Sequence, residues 1–157
     1  MSLGASLRDE VEALYAEYCE IIDDGVLERW PDLFVEPCLY RIVSKENHDR
    51  GLPLSLMLCE SLGMLRDRAL ASQKLNVYGP RTWRHQVTQI RAQPAGDGIT
   101  ARASFVVFET LHDRHTQILC TGRYLDTLVR SGAGLRFREK ICIYDSTLIP
   151  GSIVFPL

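Results

Sequence analysis

Four histidines and five cysteines give this chain its widest chemical reach, and their spacing limits what they can do. His112 and His115 stand three apart beside Asp113, so a turn could bring two imidazoles over a metal ion. Zinc asks for a third and fourth donor at recognisable spacing, and none follows. His48 and Asp49 could form an acid–base pair, since a carboxylate orients an imidazole and raises its basicity. Adjacent residues on an extended segment point opposite ways, however, and Lys45 to Arg50 is polar throughout. A surface network at a subunit contact is the simpler reading of His48, Asp49 and Arg50. Cys19, Cys38, Cys59, Cys120 and Cys142 are odd in number, widely spaced and set in apolar runs. They read as reduced, buried thiols of a cytoplasmic protein, not as a disulfide framework.

Strand parity selects two further residues. Trp83, His85 and Val87 alternate with Arg84, so an inward Trp83 makes His85 a core histidine with a satisfied ring. Glu139 shares its parity with Phe137 and Ile141, and an inward carboxylate would have its pKa raised by burial unless Arg123 or Arg138 pairs with it. Gly96 and Gly98 suit a hairpin, not a phosphate loop. No Ser or Cys nucleophile context is present either.

The elements that must position these groups follow from periodicity. Ser6-Leu7-Arg8-Asp9 is a capping box, and Leu7, Val11, Leu14, Tyr18 and Ile22 recur on one face of a helix that Asp23-Asp24-Gly25 stops. Pro31 divides the stretch from Val26 to Phe34 into two short turns. Leu39–Val43 is a first strand, Ser44–Gly51 a polar loop, and Leu58, Leu62, Leu65 and Ala69 mark a helix ending near Leu75. From about 82 to 146 the chain reads as a long β-meander. Alternation is clear at Ile99, Ala101, Ala103, Phe105 and Val107 and again at Leu135, Phe137, Ile141 and Ile143. Turns fall at Ala95–Gly98, His112–Arg114 and Ser131–Gly134. Helices first and strands after, with hairpin-length connections, predict an α+β domain spanning 1–157, its helices over one concave face of a curved, mostly antiparallel sheet.

Composition bounds the partners. The 157 residues are 46% hydrophobic and 24% charged, with a net charge of −2. That is an ordinary globular composition without the basic stripe of a nucleic-acid binder. No run approaches the ~18 apolar residues of a membrane span, and Met1–Ser6 lacks the pattern of a signal peptide. Val106, Phe108, Leu119, Leu125 and Val129 take the outward parity. Ile149, Ile153, Val154, Phe155 and Leu157 crowd the tail 147–157. Such apolar surface predicts an association face, unless the tail folds back on its own subunit.

Several phrases run in one order along nearly the whole chain: Trp30-Pro31-Asp32-Leu33-Phe34 before Cys38-Leu39-Tyr40-Arg41, then Asn47-His48-Asp49-Arg50-Gly51-Leu52, Met64-Leu65-Arg66-Asp67-Arg68 and Arg84-His85. Gly122-Arg123-Tyr124-Leu125-Asp126, Arg138-Glu139-Lys140, Tyr144-Asp145-Ser146 and Phe155-Pro156-Leu157 complete the order. The chain resembles the small (β) subunit of bacterial aromatic-ring-hydroxylating dioxygenases, closest to those of the terephthalate, salicylate and anthranilate group, on the cystatin-like cone fold of the SnoaL-like superfamily. That resemblance implies a non-catalytic structural subunit. It would form a homotrimer within an α3β3 assembly whose α subunits carry a Rieske [2Fe–2S] cluster and a mononuclear iron, fed from NADH.

The ligand sets those irons need are absent here. No Cys is followed by His as C-x-H or C-x-x-H, and the only close pair for a two-His-one-carboxylate site is His112 and His115 beside Asp113, whose blander reading is solvated turn residues. Subunit-interface candidates are therefore His48, Asp49, Arg50, Arg84, Tyr144, Asp145, Phe155 and Leu157. Stand-alone cone-fold relatives use an interior Asp or His for isomerase or dehydratase work, so the competing reading places His85, Glu109, Glu139 and Asp145 in a pocket.

Overall fold

The computed structural model describes residues 6–75, 79–132, 134–150 and 152–157. The stretch read for a signal peptide, apart from Ser6, and Ala133 of the last turn lie outside them. Helix α1 (Leu7–Asp23) starts at the capping box: Ser6 Oγ accepts the Asp9 N–H at 3.2 Å and Asp9 Oδ2 accepts the Ser6 N–H at 2.9 Å. Its buried face is Val11, Leu14, Tyr15, Tyr18, Ile21 and Ile22, and Gly25 at φ +71° turns the chain away. One 3-10 helix, Leu27–Leu33, then runs through Pro31 and buries Leu27, Trp30 and Leu33. Two separate turns were expected. Proline fits because its fixed φ suits a 3-10 turn, and its carbonyl accepts the Phe34 N–H that closes the segment.

Strand β1 (Phe34–Ser44) leads into helix α2 (Lys45–Asp49), where a loop was expected. Ser44 Oγ caps it by accepting the Asn47 N–H at 3.2 Å. Leu58 belongs to a short strand, β2 (Met57–Cys59), and helix α3 (Leu62–Leu70) begins only after the Ser61 cap, continuing as one π-helical turn to Leu75. Four long strands follow: β3 (Arg81–Ala95), β4 (Gly98–Leu111), β5 (Gln117–Ser131) and β6 (Gly134–Tyr144). The six form one sheet in the order β2-β1-β6-β5-β4-β3, antiparallel except where β1 runs parallel to β6. Helix α1 lies against β3 and β6 on the inner face, α3 against β1 and the 3-10 helix.

Irregularities in the ladders decide which side chains face in. Between β5 and β6 the register slips at Thr127/Leu128, so parity inverts after Phe137. Lys140, not Glu139, enters the core, and Glu139 and Ile141 turn to the outer face. A slip at Val107/Phe108 likewise buries Leu119, which had the outward parity. In β3 the ladder breaks between Thr88 and Arg91, where Gln89 adopts φ +55°.

The core is aromatic. Tyr15, Tyr18, Trp30, Phe34, Tyr40, Phe105, Tyr124 and Phe137 are all buried, with Phe105 stacked on Tyr124 at 4.5 Å and Trp30 edge-on to Tyr40 at 4.9 Å. The tail completes it. Phe155 packs on Trp83 with ring centroids 4.4 Å apart, and Leu157 is 2% exposed.

Candidate functional site

Among the described residues, the polar groups inside the cone are gathered mainly into four nodes, each partnered within the chain itself. At the centre Lys140 Nζ donates to Asp126 Oδ2 at 3.0 Å, neither side chain being exposed, and the same oxygen accepts the Tyr15 hydroxyl at 2.7 Å. Four rings box the ammonium, that of Tyr124 at 3.4 Å and those of Tyr18, Phe137 and Tyr15 at 4.5, 4.7 and 4.8 Å. Burial holds the Asp126 carboxyl above the usual carboxylate range, against the pull of Lys140 and Tyr15.

Beside it Asp23 grips His85 twice, accepting the His85 backbone N–H at 2.9 Å and lying 2.6 Å from Nδ1. The ring's Nε2 is buried and has no hydrogen-bond partner. Glu109, 1% exposed, is held by Arg81 at 3.0 Å, Trp83 Nε1 at 3.1 Å and Gln117 at 3.3 Å. At the fourth node the tail is the ligand. Leu157 N–H donates to Tyr40 Oη at 2.9 Å, while its carbonyl accepts from the Tyr18 hydroxyl and lies 3.3 Å from Cys142 Sγ.

Of the pocket candidates, His85 and Glu109 are buried; Glu109 is paired with an arginine and His85 is clasped by Asp23, a partner that sequence reading missed. Glu139 faces outward because of the β6 bulge. Asp145 is exposed, its Oδ2 accepting the Thr121 hydroxyl at 2.8 Å. Lys140 and Asp126 were not anticipated. Asp126 keeps the inward parity of Tyr124 and Leu128 on β5, a signal the sequence carried, whereas Lys140 is turned inward by the register slip, which parity cannot show.

The outer face is where side chains remain available. Helix α2 packs against β1 and β6, and brings Asp49 within 3.9 Å of Arg123 on β5. Lys45 pairs with Asp49 and holds its carboxyl below the usual range, chiefly by their hydrogen bond. Tyr144 and Asp145 end the neighbouring β6, so the structure gathers His48, Asp49, Arg50, Tyr144 and Asp145 at one end of the sheet. Arg84 is exposed on β3, across β4 from that group. Phe155 and Leu157 do not join them: the tail folds back, because the cone interior offers apolar cover and three polar partners that solvent-exposed packing would not.

Beside α2 the segment after Gly51 presents Leu52, Leu54, Leu56 and Leu58 outward, Leu54 with 72% exposure. Its backbone is nevertheless fixed. Arg41 donates to the Leu52 carbonyl at 3.0 Å, Asn47 to the Leu54 carbonyl at 3.3 Å, and Leu56 N–H to the Ile42 carbonyl at 2.8 Å. The result is an exposed apolar ridge at a sheet edge, a kind of surface that suits association.

Neither an iron–sulfur cluster nor a mononuclear iron fits these residues. No three His, Cys, Asp or Glu among the described residues converge as metal ligands. His112 and His115 lie exposed in the β4–β5 turn. Burial pushes the thiols of Cys19, Cys120 and Cys142 up to about 12, unlike metal-ready thiolates.

Comparison with known proteins agrees with this geometry. The SnoaL-like domain family matches residues 5–140. The chain is 36% identical over 149 residues to the anthranilate 1,2-dioxygenase small subunit of Burkholderia cepacia, covering 94% of this chain and 92% of that one. It is 32% identical to a β subunit of the terephthalate 1,2-dioxygenase terminal oxygenase component of Comamonas sp, covering 94% and 97%. Among solved structures, a protein of Novosphingobium aromaticivorans assigned as the β subunit of an aromatic-ring-hydroxylating dioxygenase superposes with a TM-score of 0.85 at 38% identity, over 96% of each chain.

Proposed function

We propose that this chain, which belongs to the SnoaL-like domain family and within it to the small (β) subunits of aromatic-ring-hydroxylating dioxygenases, is the structural, non-catalytic member of such a complex. Its partner is a larger α subunit that carries the Rieske cluster and the mononuclear iron, and the complex oxidises an aromatic ring, most simply a carboxylated one, with electrons from NADH. Three copies of each chain make the assembly, in the cytoplasm, with the copies of this chain forming a closed ring.

One observation carries the reading: the cone interior is filled by the chain's own Lys140, Asp126 and Leu157, while the free polar and apolar groups lie on the outer face. A substrate pocket would need room where the tail sits. The competing reading, a stand-alone isomerase or dehydratase, needs an interior base. Glu139 points away, Glu109 is ion-paired, Asp126 is held by Lys140, and His85 Nε2 and Asp126 Oδ1, though without hydrogen-bond partners, are sealed from solvent. The relatives named above are subunits of dioxygenases, and they support the same choice.

The corner formed by α2, Tyr144, Asp145 and the leucine ridge is the surface we assign to the large subunit. Fully burying one leucine is worth about 1.5–3 kcal/mol, and the exposed parts of these four equal about two whole side chains, so the ridge offsets part of an association cost of roughly 4–15 kcal/mol and the polar groups of the corner must supply the rest. Co-expression with the large subunit of the same organism tests it. Co-purification of an iron-containing complex supports the reading; a chain that stays alone and turns over a substrate by itself defeats it.

A further inference from the structure

Two oppositely charged regions of the surface are each unfavourable in the isolated chain. On the outer sheet face Arg91 and Arg102 stand directly opposite one another across β3 and β4, a like-charge pair that destabilises a sheet. Both are exposed, and neither they nor Arg84 have a carboxylate partner among the described residues; Arg123 meets only Asp49, at 3.9 Å. Arg91, Arg102, Arg123, Ile90 and Leu125 line a half-open depression of ≈ 620 Å³. Small-molecule sites enclose most of their ligand, whereas an open, cationic hollow on a sheet suits an acidic corner of a protein partner.

Such a corner exists on the same chain. The last turns of α1 carry Glu20 and Asp24, both exposed and unpaired, next to Glu17, which Arg29 holds at 3.2 Å, and there is no basic residue in that last turn. Carboxylates at the negative end of a helix dipole are disfavoured and would gain from a cation. We propose that the arginine face of one copy receives the Glu20/Asp24 corner of α1 from the next copy. Two different surfaces meet in that contact, so it is heterologous and makes a closed ring if the rotation closes. The inference rests on the reading of this chain as a subunit and adds the two surfaces that join its copies, distinct from the α2 corner assigned to the large subunit.

Light scattering on the isolated chain measures its mass. The wild type is expected to be oligomeric at low salt and to dissociate as ionic strength rises, because exposed charges are screened beyond about 8 Å at physiological salt. Arg91→Glu with Arg102→Glu, and separately Glu20→Arg with Asp24→Arg, should each weaken assembly tenfold or more while the folded circular-dichroism spectrum is kept. The milder Arg91→Gln with Arg102→Gln should give an intermediate loss. Combining both reversals restores attraction and should restore the mass. A monomeric wild type, reversals that leave the mass unchanged, or a fourfold variant that stays monomeric each overturn the proposal. Capture of the large subunit is scored apart: a monomeric chain that still captures it refutes this contact alone, and failure of capture refutes the functional reading.

Discussion

Replacing Lys140 with methionine removes one half of an ion pair that the core encloses completely. Asp126 would keep its charge or take a proton inside the core, with the Tyr15 hydroxyl at 2.7 Å and the Ile141 backbone left to hold it. Breaking a fully buried pair from one side costs roughly 3–5 kcal/mol, and the four-ring box around the ammonium lies inside that figure. For a chain of 157 residues each kcal/mol moves the midpoint by about 2–4 °C, so the Tm should fall by roughly 6–20 °C. The double variant Lys140→Met with Asp126→Leu removes both charges and fills their volume. It should recover at least about 2 kcal/mol of the loss, short of the wild type only by the orphaned Tyr15 hydroxyl.

The pH dependence has a fixed sign. Burial raises the Asp126 carboxyl in the folded state, so the stability contributed by its protonated form is present below the ordinary carboxylate range. It is lost as pH rises through the raised folded value. The wild type's advantage over Asp126→Asn should therefore narrow with rising pH across that window. Urea unfolding followed by circular dichroism, repeated from pH 4 to 8, measures both effects. A Lys140→Met variant within 1 °C of wild type, or a double variant as unstable as the single, would refute the reasoning.

Leu157→Ala empties a position that is 2% exposed and loosens the contacts around Tyr18, Tyr40 and Cys142; a cost of roughly 2–5 kcal/mol is expected in the same unfolding assay. Gly122→Ala would place a methyl group 2.0 Å from the Ile143 carbonyl oxygen and 2.8 Å from Phe105, so β5 and β6 must part, lowering stability by at least about 1–3 kcal/mol in thermal melts. With the thiols of Cys19, Cys120 and Cys142 raised to about 12, thiolate is scarce at pH 8. A chromogenic disulfide reagent should label them slowly in the folded protein and all five cysteines at once in denaturant. Leu54→Asp with Leu56→Asp should abolish capture of the large subunit while leaving the melting temperature within 2 °C, since both side chains are exposed.

The first helix was legible to the residue pair that caps it, because Ser6 and Asp9 act within four positions of each other and the apolar stripe needs no tertiary knowledge. The meander was legible for the same reason: alternation is local. What escaped was non-local. Lys140 and Glu139 exchange faces through one slipped ladder position opposite Thr127 and Leu128, and no property of either residue announces it; the same holds for Leu119. Leu58 fitted a helical stripe with Leu62 and Leu65 but was captured as an edge strand by pairing with Arg41. Asp23 looked like a helix stop and is also the partner of His85, 62 positions away. The tail's apolar composition correctly marked a need for burial, and only the fold shows that the cover comes from its own cone.

The division of labour between this chain and a larger one is tested most directly by metal analysis and turnover on matched samples. The isolated chain and its co-expressed complex would be assayed side by side for bound iron and for NADH-dependent oxygen uptake with aromatic carboxylates. Iron and uptake confined to the complex is the predicted result. Stoichiometric iron in the isolated chain, or turnover by it without a companion, would contradict it.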